Sequence, residues 1–161
     1  MTTAAESDVD RAALVDEGSE RPVVLVGHDR HAAASAALAA TIELARWVQG
    51  EVHVMHCITL DDYGVDPDTE EFDSECERNR VREREQIMLA MSGTGLRWCY
   101  HEGRGDPARA LAALANDVAA TYIIVGATHP GALHRLAGGD SVAKRLLRLQ
   151  HRPVLVVPEP A

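Results

Sequence analysis

The chain has 161 residues, 46% hydrophobic and 25% charged, which supplies apolar material for one continuous core and excludes a fully disordered chain. Its net charge of −9 is uneven, because Met1 to Glu20 and Thr59 to Glu77 together carry −14 and leave the remainder at +5. An acidic chain without a basic run fits nucleic acid poorly, and its longest uncharged apolar run, Ala32 to Ile42, falls far short of the roughly 20 residues that span a bilayer, so a cytoplasmic protein is expected.

Residues 1–20 hold acids, Ser, Thr and Ala with few large apolar side chains, and are expected to form a flexible acidic tail ahead of a folded domain over 21–161. From Arg21 onward, short β-branched runs alternate with longer helical patterns, the signature of βαβ units around a parallel sheet buried on both faces. The first strand is expected over Pro22 to Gly27. The helix after it covers Ala32 to Val48, with Leu38, Ile42, Ala45 and Val48 on one face and Gly50 as its C-cap. A second strand covers Glu51 to Ile58. After the acidic loop comes a helix from Glu70 to Met91, rich in Arg and Glu, of which Ile87 to Met91 is expected to dock. The third strand spans Leu96 to Glu102. Asp106 then caps a helix with Pro107 at its first position, running to about Ala120 with Ala110, Leu111, Leu114 and Val118 as its stripe. A fourth strand covers Thr121 to Gly126. The last helix begins near Asp140 or Ser141 with Val142, Leu146, Leu147 and Leu149, and Pro153 opens the fifth strand, which ends at Val157.

These elements predict a doubly wound α/β domain with a five-stranded parallel sheet and four helices, in which ligands bind outside the carboxyl ends of the strands. Candidate site residues therefore follow Gly27, Ile58 and Gly126. The three cysteines match no zinc or disulfide spacing; Cys57 and Cys99 are expected as small buried hydrophobes and Cys76 as a dull thiol among carboxylates.

Two segments carry the candidate chemistry. In His28-Asp29-Arg30-His31, Asp29 can bond a ribose hydroxyl or a metal ion, or cap the turn before the helix, and these readings weigh equally. The second segment runs from Val125 through Gly126, His129, Gly131, Gly138, Gly139, Asp140 and Ser141 to Val142. A glycine-bearing loop closing on a helix N-terminus offers N–H groups and a positive dipole end to an anion. It contains no Walker A run, and no GxGxxG follows the first strand. Asp140 has a competing role as the helix N-cap. His28, His31, His129 and His134 could converge on a metal, but with no HxxxH or HExxH spacing they are expected as exposed loop residues; Lys144 and Arg135 rank below the glycines as phosphate contacts.

From Arg21 to Pro158 the chain resembles the universal stress protein family. The resemblance lies in the order of Val24-Leu25-Val26-Gly27-His28-Asp29, Val52-His53-Val54-Met55-His56, Glu102-Gly103-Arg104-Gly105-Asp106-Pro107, Ile123-Ile124-Val125-Gly126, Leu133 to Lys144 and Arg152-Pro153-Val154-Leu155-Val156-Val157. It implies a flavodoxin-like sheet of order 3-2-1-4-5, a homodimer through the last strand, and a regulatory role. Family members divide into those that bind ATP and those that bind no nucleotide. Binding members carry Gly-x-x-Gly, nine residues, then Gly-Ser or Gly-Thr. Here Gly126 and Gly139 match, His129 replaces the second glycine, Asp140 stands at the Ser or Thr, and Ser141-Val142 is shifted by one. The resemblance also lays the second strand along the adenine, at Val54. A carboxylate about 4 Å from a phosphate charge repels it by roughly 1 kcal/mol in water and about 4 kcal/mol at an effective dielectric near 20, against about 8 kcal/mol for a micromolar ligand. Mg2+ bridging Asp140 and the phosphates would offset that repulsion.

Three rivals remain. An enzyme lacks any nucleophile elbow, triad or paired carboxylates, which leaves only slow hydrolysis of bound ATP. A phosphorylated receiver domain needs Asp where Tyr100-His101-Glu102 stands, and a flavodoxin needs a Ser/Thr-rich loop where Arg30 to Ala34 offers none. A dimeric scaffold that binds no nucleotide and acts through protein partners is the alternative to the nucleotide-binding regulator.

Overall fold

The computed structural model describes residues 21–29, 31–58, 70–127 and 141–160. Among them, strands and helices alternate as β1 (Val23–His28), α1 (Ala32–Trp47), β2 (Glu51–Ile58), α2 (Glu70–Met91), β3 (Trp98–Arg104), α3 (Pro107–Asp117), β4 (Tyr122–Ala127), α4 (Val142–Leu149) and β5 (Val154–Pro158). All strand pairs are parallel and the sheet order is β3-β2-β1-β4-β5. The expected tail at 1–20 and the acidic loop up to residue 69 lie outside the described residues.

Strand parity sorts the core into two layers, because successive side chains leave a strand on opposite faces. Leu25, Met55, Cys57, Ile123 and Val125 join Leu111 and Ala115 of α3 and Leu146 of α4 on one face. Val24, Val26, Val52, Val54 and Ile124 join Leu38 and Ala45 of α1 and Ile87 and Met91 of α2 on the other. Leu25, Ile123, Ile124 and Leu146 are fully buried, each contributing about 1.5–3 kcal/mol relative to exposure.

Helix ends follow local chemistry. Asp106 caps α3 by accepting the Arg109 N–H at 2.9 Å, with Pro107 at the first helical position. The N-cap of α4 is Ser141, whose hydroxyl accepts the Lys144 N–H at 3.3 Å, so the capping role expected of Asp140 belongs to its neighbour. At the end of α1, Gln49 rather than Gly50 takes the left-handed backbone, at φ 53°, while the Gly50 N–H bonds the Ala45 carbonyl at 2.8 Å. Gly50 is needed for a different reason: a Cβ there would lie 2.4 Å from the Pro22 carbonyl oxygen.

Three burial expectations change. Cys99 is exposed, because its strand β3 is at a sheet edge. Leu147 and Leu149 are exposed, since the face of α4 that meets the core is set by Ala143 and Leu146. Docking of α2 also begins a turn earlier than Ile87, at the buried Glu83.

Candidate functional site

At the carboxyl ends of β1 and β4 the chain encloses a cavity of about 210 Å³, with Asp29 and His31 at the β1 end and Val142 of α4 opposite. Its floor is apolar, formed by Met55, Cys57, Leu111 and Val125, with Gly27 and Gly126 closing the strand ends. Both glycines are explained by packing. A Cβ on Gly126 would lie 2.6 Å from the carbonyl carbon and oxygen of Ala33, and one on Gly27 would lie 2.9 Å from Leu111. Bare backbone at these positions lets α1 and α3 approach the sheet closely.

Polar groups around the cavity are partly engaged. The Asp29 Oδ1 accepts the His31 N–H at 2.9 Å and lies 3.1 Å from His31 Nδ1, an Asx-type turn before α1; the helix itself has His31 as N-cap with no side-chain cap bond. Both contacts use Oδ1. Asp106 also contacts the Arg145 guanidinium; the Arg109 N–H, with help from Arg145, holds its carboxyl below the ordinary range.

Of the residues expected at the site, Asp29, Gly126 and Val142 line one cavity, with Ser141 at the adjoining helix start. Val54 does not join them. It is fully buried in the opposite layer beneath α1 and α2, and the β2 residues that face the cavity are its odd-numbered neighbours Met55 and Cys57. His129, Gly131, Gly138, Gly139 and Asp140, like His134 and Arg135, lie outside the described residues.

Sequence reasoning did not find a second polar cluster. His28, expected as an exposed loop residue, is the last residue of β1 and only 6% exposed, and it meets His56 at 4% and Glu83 at 5%. The His28 Nδ1 is 3.2 Å from Glu83 Oε2. Burial pushes His56 below the ordinary histidine value, with the Glu83 charge opposing that shift. The available signal was periodic: His56 shares the parity of Val54, and Glu83 precedes Ile87 and Met91 at four-residue steps.

A third group lies on the other face. His53 Nδ1 and His101 Nε2 are 2.9 Å apart, and His53 Nε2 is 3.2 Å from Glu51 Oε1. A carboxylate only accepts, so His53 Nε2 carries a proton, and one further proton lies between His53 Nδ1 and His101 Nε2. Near the His28–His56–Glu83 cluster, the Arg80 guanidinium of α2 donates to Glu102 of β3 at 2.6 Å. Tyr100, its hydroxyl beside Glu102, is pushed up to about 12 by burial and that carboxylate.

A scan of protein families matches residues 21–158 to the universal stress protein family. No curated protein sequence matches the chain significantly. Among solved structures, a protein of that family from Burkholderia pseudomallei is 26% identical with a TM-score of 0.64, covering 88% of this chain and 98% of its own. The family's protein from Archaeoglobus fulgidus in complex with dAMP is 19% identical at a TM-score of 0.59, covering 84% and 96%. A universal stress protein in complex with cAMP is 17% identical at 0.61, covering 88% and 100%. The last two likenesses concern the fold. With the family match running from before β1 to the end of β5, the chain belongs to the universal stress protein family.

Proposed function

We propose that this chain is a cytoplasmic regulatory protein, not an enzyme, that holds ATP or another adenine nucleotide at the carboxyl end of its sheet and works as a homodimer paired through β5. The observation that carries the reading is the cavity between β1, β4 and α4: an apolar floor of Met55, Leu111 and Val125 suits a planar base, and Asp29 at its rim suits a ribose hydroxyl. The start of α4 adds helix N–H groups without intrahelical partners, which favour phosphate. Mg2+ would accompany the phosphates. Relatives of the same fold with dAMP and cAMP bound support an adenine nucleotide. Among the described residues no helix is long and apolar enough to cross a membrane, in keeping with a cytoplasmic protein.

One observation favours the scaffold reading, in which no nucleotide binds. Asp29 already serves His31 and Ser141 already caps α4, so the polar groups near the cavity are partly satisfied without a ligand. Thermal unfolding with and without ATP and Mg2+ decides between them. Ligand at about 100 times its Kd adds about 2.7 kcal/mol, a shift of several degrees in this size of domain. No shift at saturating millimolar ATP, with no nucleotide retained in equilibrium dialysis, establishes the scaffold.

A further inference from the structure

We propose that His28, His56 and Glu83 form a site for a divalent transition-metal ion of the zinc class, which fastens α2 onto the ends of β1 and β2. The site follows from topology. His28 and His56 are direct partners in the β1–β2 register, on the strand positions that share a face with Val26 and Val54. That face is the one α2 covers. Glu83, Ile87 and Met91 form one stripe of α2, so the packing that buries Ile87 and Met91 also brings a carboxylate down onto the two rings.

All three side chains are buried, and their donor atoms lie within 4.8 Å of one another, the only such group of His, Cys, Asp and Glu among the described residues. An ion pair does not account for them. His28 Nδ1 and Glu83 Oε2 are close, yet neither has a hydrogen-bond partner, and neither does His56 Nδ1. A hydrogen bond between His28 and Glu83 would still leave His56 Nδ1 alone, whereas one cation can take a donor atom from each of the three residues. Two imidazole nitrogens and one carboxylate oxygen are a donor set found at zinc sites with an open fourth position. A tetrahedral ion with bonds of about 2.0–2.1 Å separates its donors by about 3.3 Å, close to the 3.2 Å between His28 and Glu83.

The ion has a mechanical task. The first half of α2 is mostly Glu and Arg, and ahead of Ile87 the helix meets the sheet through Glu83, the Arg80–Glu102 pair and Arg84 over the Tyr100 ring. A metal there turns Glu83 from a buried anion into an anchor. His28 also lines the cavity proposed for the nucleotide, but the inference does not rest on that reading.

Co2+ added to the full-length, chelator-treated protein is the test. One equivalent should bind and give the visible d–d absorption of a tetrahedral ion, which Zn2+ then quenches by displacement. His56→Gln and Glu83→Gln should each weaken binding by at least about 100-fold, while His31→Ala and His101→Gln leave it unchanged. Zn2+ should raise the melting temperature of the wild type and of neither site variant. Should the site variants fail to fold, X-ray absorption of the zinc-loaded wild type reads the ligands directly: two imidazoles with oxygen and no sulfur are expected. The proposal is overturned by no stoichiometric binding of Co2+ or Zn2+, by binding that survives both site variants, by loss in His31→Ala or His101→Gln, or by sulfur or a single imidazole around zinc.

Discussion

One proton joins His53 Nδ1 to His101 Nε2 across 2.9 Å. Burial first, and the neighbouring His53 second, push His101 below the ordinary value of 6.5. His56 is lowered too, mainly by burial. A base with a depressed folded-state pKa binds fewer protons folded than unfolded, so its stabilising term is complete above 6.5 and is lost as pH falls through the folded value. The denaturant midpoint should therefore stay level from about pH 8 to 7 and decline between about 6.5 and 5. His101→Gln keeps an amide donor for His53 and cannot titrate, so its decline should be shallower than the wild type's; an unchanged slope removes His101 from the account. At the same scale, His28 Nδ1, His56 Nδ1 and Glu83 Oε2 are buried without hydrogen bonds, an arrangement costing about 1–3 kcal/mol per group unless something supplies a partner.

At the scale of elements, α1 and α3 end alike. In each, a residue with a side chain takes the left-handed turn, Gln49 at φ 53° and Ala119 at φ 49°, and the next N–H returns to a helix carbonyl at 2.8 Å. A Cβ in that region costs about 1–2 kcal/mol, and glycine's larger unfolded-state entropy returns part of the gain. Ala119→Gly should thus stabilise by about 0.5–1 kcal/mol, seen as a higher urea midpoint at unchanged slope; a lower midpoint refutes the strain. The end of α1 differs from its sequence reading because Gly50 stands one residue past the turn, where what requires glycine is contact with Pro22. Elements with strong periodicity were legible. The Asp106-Pro107 start of α3 and the β-branched runs of β1, β2, β4 and β5 lie where composition puts them, while β3, with no β-branched residue, runs two residues later than expected, over Trp98–Arg104. The site was legible only in part. Asp29 and Gly126 lie at strand ends, which topology alone marks as ligand-facing, but whether Val54 or Met55 faces the cavity depends on a one-residue parity that an apolar run does not disclose. Glu83 escaped because a lone carboxylate on a charged helix looks solvated until the sheet it covers is known.

For the molecule as a whole, the sheet leaves two edges and treats them differently. β3, at one edge, is Trp-Cys-Tyr-His-Glu-Gly-Arg, with charges that discourage pairing and Glu102 held by Arg80. β5, at the other, is Val-Leu-Val-Val-Pro, short and apolar, and Leu155 is 39% exposed. An open apolar edge is a template for another strand, and a second copy of the same edge meets it by two-fold symmetry. Val154 and Val156 pack on the α3–α4 core layer, so Leu155 can change without emptying the interior. Sedimentation should find the wild type as a dimer whose melting temperature rises with protein concentration. Leu155→Lys should yield a monomer that keeps the far-ultraviolet dichroism of the wild type, since a charge on the edge opposes pairing while the core is unaltered. A variant that remains dimeric would place the interface elsewhere on the molecule. A wild type that sediments as a monomer would mean that the apolar edge does not pair with a second copy.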